Sequence, residues 1–240
     1  WSAQPTLFSK TRALGFDTAA VGWYHPYCRI LGGELMSCAW EPCATATQGR
    51  DAGLPTTMRN QLLSLSPWYP RLQHLRAYRQ IVQRARAVIA DPSFGFVFVH
   101  IPVPHEPWVY DRARGAFTLT NYPLSGYFDN LTLADRTLGE LRRVMEAAGT
   151  WETSAVVVMS DHAWRLSHHF DGKRDSRVPF MLKLPGRAAG LVYEPPFGTL
   201  AAHELTLALL RGELDSSQEI AEWLDRYAAQ RSVTVAKHTD

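Results

Sequence analysis

Residues 154–162 read Ser-Ala-Val-Val-Val-Met-Ser-Asp-His, an apolar, β-branched run that ends on a carboxylate and an imidazole, Asp161 and His162. Such a run suits a strand buried on both faces of a parallel sheet, and in open α/β sheets ligands lie just beyond the carboxyl ends of such strands. Asp161 and His162 there are oxygen and nitrogen donors for one divalent cation. The same Ser-Asp pair is also a common helix N-cap. Three further segments carry polar tips of the same kind. His105 sits in the loop Pro102–Trp108, His25 in the aromatic loop Gly22–Tyr27, and His168, His169 and Lys173 in the stretch Leu166–Lys173. Imidazoles and an ammonium group in such loops donate hydrogen bonds to phosphoryl or sulfuryl oxygens, or protonate a leaving group. Each has a plainer reading. His25 among Trp23, Tyr24 and Tyr27 could be a packed core histidine, and Lys173 could be a solvated loop lysine. His105 is rigid between prolines, and one of His168 and His169 is expected to face a site while the other points away. His74 lies between core positions on a basic helix face and is read as surface, and His100, at a strand end, as core.

The elements that must position these groups alternate between strands and helices. Leu7 onward reads as a short helix stopped at Gly15, followed by a strand through Ala19, Ala20 and Val21. Residues 29–67 read as an irregular surface excursion. Leu72, Leu75, Tyr78, Ile81, Val82, Ala85, Val88 and Ile89 recur at helical spacing, with arginines on the solvated face, and Phe94–Ile101 follows as a buried strand. A second helix has the inner stripe Phe128, Leu131, Leu138, Leu141, Val144 and Met145 and closes at Gly149. Arg177–Leu184 reads as another strand, and two helices follow, marked by Leu205–Leu210 and by Ile220, Trp223, Leu224 and Tyr227. The alternation predicts one α/β domain over residues 1–230, a mostly parallel sheet covered by helices on both faces, and a polar tail over residues 231–240.

The chain has 240 residues, 46% of them hydrophobic, and a net charge of +2, so it can bury a substantial core and shows no basic stripe suited to nucleic acid. No apolar run approaches the length of a membrane span. Cys28, Cys38 and Cys43 fall in one segment without Cys-x-x-Cys spacing, which favours a local disulfide over a zinc site and an oxidising compartment, with one thiol left over.

The loops arrive in an order that resembles the sulfatase and alkaline phosphatase superfamily, including the lipid-headgroup transferases of bacterial envelopes. Gly15-Phe16-Asp17-Thr18 with Val21-Gly22-Trp23-Tyr24-His25 is similar to its Gly-Tyr-x-Thr and Gly-Lys-Trp-His segments, without a match for that Lys. Pro104-His105-Glu106-Pro107 resembles its Pro-His-x-Pro loop, Tyr127, Asp135 and Gly139 its intervening helix, and Ser160-Asp161-His162 its metal motif, with Ala163 in place of the usual Gly. Lys173 with Arg177-Val178-Pro179-Phe180 resembles its Lys followed by Arg-Val-Pro.

The resemblance implies a three-layer α/β/α sandwich of alkaline phosphatase type. It implies a phosphoester or sulfoester hydrolase in which Asp161 and His162 hold a metal, His105, Lys173 and His25 are catalytic, and His168 and His169 bind substrate. The imidazole of His162 favours Zn²⁺ or Mn²⁺ over Ca²⁺. It also implies that the acidic strand and hydroxyl nucleophile lie ahead of Trp1, so that the chain alone is expected to be inactive. The alternatives are a phosphoethanolamine or phosphoglycerol transferase, or a non-catalytic binding module. The expected partner is an anionic ester at the periplasmic or extracellular face of a bacterial envelope, with membrane association only through segments outside the chain.

Overall fold

A computed structural model describes residues 4–43, 53–120, 123–186 and 190–236. In chain order its principal elements are α1 (Leu7–Ala13), β1 (Thr18–Trp23), α2 (Tyr27–Ile30), β2 (Ser37–Glu41), α3 (Leu54–Ser64), α4 (Tyr69–Ala90), β3 (Phe96–Val99), β4 (Tyr110–Asp111), β5 (Ala116–Phe117), α5 (Pro123–Ala148), β6 (Val156–Met159), α6 (His168–Asp171), β7 (Phe180–Lys183), α7 (Ala201–Leu210) and α8 (Ser217–Ala236). The protein is a mixed α/β chain of two compact units, Phe16–Thr150 and Trp1–Gly15 with Trp151–Asp240.

The unit Phe16–Thr150 is built on a parallel sheet in the order β2-β1-β3. β1 is central and buried along its whole length. Its small side chains explain how a long helix lies so close: Ala19, Val21 and Trp23 pack against Ala77, Ile81, Ala85 and Val88 of α4. An adjoining stripe of α4, Leu75, Tyr78 and Val82, meets Val103, Val109, Tyr110 and Leu133. α4 is therefore buried over a wide arc, as expected of a helix between a sheet and a second helix.

Three segments depart from the sequence reading, among them α3, a helix over Leu54–Ser64 where residues 29–67 read as irregular. β2 lies inside the supposed irregular excursion, paired in parallel register Ala19↔Ser37 through Trp23↔Glu41, and a Cys28–Cys38 disulfide ties it to α2. Cys43 lies outside that bond. α5 buries polar residues outside its apolar stripe, although Leu141 of that stripe packs against the core. Asn130, Leu133 and Thr137 are buried whereas Leu131 is largely exposed, because the polar pair finds partners inside. Thr137 and the Tyr78 hydroxyl lie 2.8 Å apart, and Asn130 bonds to the loop described below.

The other unit pairs β6 with β7 antiparallel, Val156↔Lys183 through Met159↔Phe180. β6 is thus not the doubly buried parallel strand that its composition suggests; it is half-buried and Met159 is exposed. An apolar run records desolvation, but it carries no information on the direction of its partner. The core of this unit is Leu184, Ala201, Leu205, Ala208, Leu214, Ile220 and Leu224. α8 continues to Ala236, into the segment read as a tail; residues 237–240 lie outside the described residues.

Candidate functional site

In the unit Phe16–Thr150 the carboxyl ends of the parallel strands β1 and β3 gather an imidazole cluster around one indole. The ring centroid of Trp23 lies 5.0 Å from that of His105, 5.4 Å from His74 and 6.1 Å from His100. His25 stacks toward His100 at 6.3 Å. Trp23 is buried, and among the described residues its indole nitrogen has no hydrogen-bond partner. His25 and His105 are exposed.

The turn after β1 is shaped to present these groups. Tyr24 has φ +70°, a left-handed conformation that costs a non-glycine residue about 1 kcal/mol and is concentrated at functional sites. Its N–H still donates to the Glu41 carbonyl at 3.0 Å, which anchors the turn to β2. Tyr27 folds back over β1, where Gly22 lets it come close, and its hydroxyl meets His100 Nδ1 at 2.9 Å.

The loop bearing His105 is clamped from α5. The Asn130 side-chain amide donates to the His105 carbonyl at 3.0 Å and its oxygen accepts the Val109 N–H at 3.0 Å. Trp108 packs over Gly126, where a Cβ would stand 2.6 Å from the indole. Asn130 is fully buried, so Asn130→Ala leaves two backbone groups unpaired and is expected to lower stability by about 2–3 kcal/mol. Urea denaturation checks this, and a loss within error of zero would show that the clamp carries no energy.

Hydrogen bonding fixes two tautomers. His105 Nδ1 lies 2.5 Å from the Glu106 carbonyl, which only accepts, so Nδ1 carries a proton. Nε2 then donates to an anion only when the ring is an imidazolium. His74 bonds the backbone of Pro102, a residue with no N–H, so its ring must donate there; among the described residues Nε2 has no partner. Burial first, and the neighbouring His105 second, lower the pKa of His74 from 6.5 to about 4. His74 is a neutral core residue, a correction to its reading as a surface position.

In the other unit the metal-ligand candidates stand at the end of β6. His162 Nε2 lies 4.0 Å from Asp161 Oδ1, and both side chains are exposed. His162 Nδ1 donates to the Ala163 carbonyl at 2.8 Å, which turns the Nε2 lone pair outward, the arrangement of a metal-ligating imidazole. The Ser160 hydroxyl donates to the His162 carbonyl at 2.8 Å. This donor pair fits a cation with nitrogen and oxygen ligands. Among the described residues no group of three or more histidine, cysteine, aspartate or glutamate side chains is placed to hold a metal.

His168 and His169 open the short helix α6 rather than sitting in an extended loop. Their rings lie 4.2 Å apart, with His168 half-buried and His169 exposed. Consecutive helical residues diverge by about 100°, not the alternation of an extended segment. Lys173 follows Gly172 and is exposed, its N–H donating to Asp171 at 2.9 Å. Arg177 grips Asp175 at 2.6 Å, holding that carboxyl down to about 2.

His74, His100 and Tyr27 are the site residues that sequence reasoning missed as a group. The pairing of β1 with β3 in register Val21↔Val99 sets His100 beside the turn that leads to Tyr27.

No protein-family model and no curated protein sequence matches the chain. Among solved structures it is similar to Ps i-CgsB, crystallised in complex with k-i-k-neocarrahexaose. The TM-score is 0.58 at 15% identity, over 90% of this chain and 55% of that one. The chain therefore spans about half the length of that structure, and at this identity the likeness concerns the fold alone.

Proposed function

We propose that the chain is the greater part of a metal-dependent phosphoester or sulfoester hydrolase of sulfatase and alkaline phosphatase type, with the three-layer sandwich of that superfamily. The observation that carries the reading is the imidazole cluster at the carboxyl ends of β1 and β3, where an α/β sheet binds its ligand. A protonated His105 donates from Nε2 to an anionic ester oxygen, and His25 is a second exposed donor. Lys173, His168 and His169 are assigned to substrate oxygens on the resemblance of their loop.

Asp161 and His162 would hold the cation. When bound, such an ion lowers the pKa of a hydroxyl nucleophile and neutralises charge on the ester oxygens. The nucleophile and the remaining ligands are assigned to residues outside these 240. A saccharide-borne ester suits the reading, since the fold neighbour was solved with an oligosaccharide. The Cys28–Cys38 disulfide supports an oxidising compartment such as the periplasmic or extracellular face of an envelope.

The test uses the longest natural form of the protein, stripped of metal and reloaded with Zn²⁺, Mn²⁺ or Ca²⁺, on aryl phosphate and aryl sulfate. Asp161→Asn and His162→Ala are each expected to reduce turnover by about 10²-fold or more, the scale of losing a ligand of a catalytic cation. Turnover that survives both substitutions removes Asp161 and His162 from the reaction. Transfer to an added alcohol without hydrolysis would favour the transferase.

A further inference from the structure

α3 carries an apolar face that nothing among the described residues of its own unit covers. Leu54, Met58, Leu62 and Leu65 recur at helical spacing and are 74%, 55%, 68% and 81% exposed, and Trp68 continues the stripe at 52%. Single exposed apolar side chains are ordinary, but a contiguous stripe of five large ones marks a contact surface.

Its charge setting is equally uneven. Residues 53–90 contain six arginines and no aspartate or glutamate, in a chain whose net charge is only +2. Arg86 is engaged by Glu140 at 3.1 Å and Arg79 lies over the Phe117 ring. Arg59, Arg76 and Arg84 are exposed. Arg71 is held beside the Trp68 end of the stripe by donating to the Pro67 carbonyl at 2.6 Å. An apolar face ending in tryptophan, with Arg59 on the same helix and Arg71 at its end, has the chemistry of a helix lying in a membrane interface. The aliphatic side chains enter the acyl boundary, and the guanidinium groups reach anionic headgroups.

We propose that α3 and the Leu65–Trp68 turn dock this protein flat on an anionic lipid surface. The site is independent of the chemistry proposed above. An 11-residue helix is too short to span a bilayer, so the contact is peripheral. A second copy is the poorer occupant, because self-association through α3 would bring two acid-free, arginine-rich segments together.

The test is flotation of the 240-residue protein with vesicles of phosphatidylcholine alone or mixed with phosphatidylglycerol. Binding is expected to be about tenfold or more stronger on the anionic vesicles and to weaken with added salt. Leu62→Asp with Leu65→Asp should abolish it. Both positions are exposed, so the melting temperature and circular dichroism should be unchanged, which keeps loss of binding distinct from loss of fold. Three results each overturn the proposal: no binding to either vesicle, binding indifferent to the aspartates, or an oligomer that the aspartates dissolve without any vesicle binding. Binding to an acidic polypeptide but not to anionic vesicles would also overturn it.

Discussion

Lowering the pH from 6.5 toward 4 is expected to remove about 3 kcal/mol of stability through one residue, His74. The folded ring resists protonation because burial denies water to its charged form and because His105 adds repulsion; the hydrogen bond to the Pro102 backbone works the other way and is outweighed. The unfolded ring protonates near 6.5. Between that value and about 4 the unfolded state holds the extra proton, so stability falls as pH falls through this window, by up to about 1.4 kcal/mol per pH unit. Above the window the full contribution is present. Asn in place of His74 keeps an N–H for Pro102 and does not titrate. Urea midpoints measured across the window should therefore fall steeply for the native protein and more gently for His74→Asn. Identical slopes would mean that His74 is protonated without cost, and the buried neutral ring would be untenable. The consequence for function is local. A neutral His74 places no charge behind the loop that carries His105.

How far this arrangement is readable without coordinates depends on what the chain uses to bury each element. β1, β3, α4, α7 and α8 are carried by apolar periodicity, and all stand where that periodicity puts them. β2 is different: Ser-Cys-Ala-Trp-Glu is a half-buried edge strand whose side chains neither alternate nor run apolar, so only its pairing with β1 reveals it. α5 buries polar residues for a related reason. Asn130 and Thr137 are inside because hydrogen bonds satisfy them, whereas a hydropathy pattern scores them as solvent-facing. α3 has the opposite character, with apolar residues that join no core cluster among the described residues of its unit.

The candidate site was legible one loop at a time. The strand-end positions of His25, Asp161 and His162 follow from apolar runs that stop on polar residues, and each stands just beyond a strand, whereas His105 lies farther along the loop that leaves Val99. What could not be read is the cross-chain proximity. His74 belongs to a helix whose exposed positions include arginines and glutamines, and no residue type near it in the chain points to Pro102 as its partner. His100 gains its role from Tyr27, 73 residues earlier. Such pairings are set by strand register, a property of the fold rather than of any segment. The resemblance of five loops in order supplied roles for the separate residues. The structure adds the tautomers of His105 and His162, which decide what each imidazole can do.

Replacing Gly22 by alanine is expected to cost about 2–3 kcal/mol and to break the link between the β1 turn and His100. A Cβ at position 22 would stand 2.2 Å from Tyr27 Cδ2 and 2.3 Å from Cε2. Ordinary carbon contacts are about 3.5–4 Å, so the ring must retreat by more than an ångström. It has little freedom to do so. Phe98 packs against the Tyr27 ring at 5.5 Å, and the adjacent Cys28 is tied through its disulfide to β2. The strand cannot yield instead, since Gly22 is buried and paired with Trp40 on one side. The displaced hydroxyl then loses His100 Nδ1, and the turn carrying Tyr24 and His25 loses its inner support. A double-mutant cycle separates this collision from a general intolerance of alanine in the strand. In a Tyr27→Ala background the Gly22→Ala change should cost under about 1 kcal/mol, giving a coupling of about 1.5 kcal/mol or more. Additive effects would show that Tyr27 is not what demands glycine. Tyr27→Phe removes the hydroxyl alone and should cost about 1 kcal/mol. If it disturbs the His100 imidazole resonances while leaving the fold intact, the hydroxyl positions His100 and the ring supports the turn.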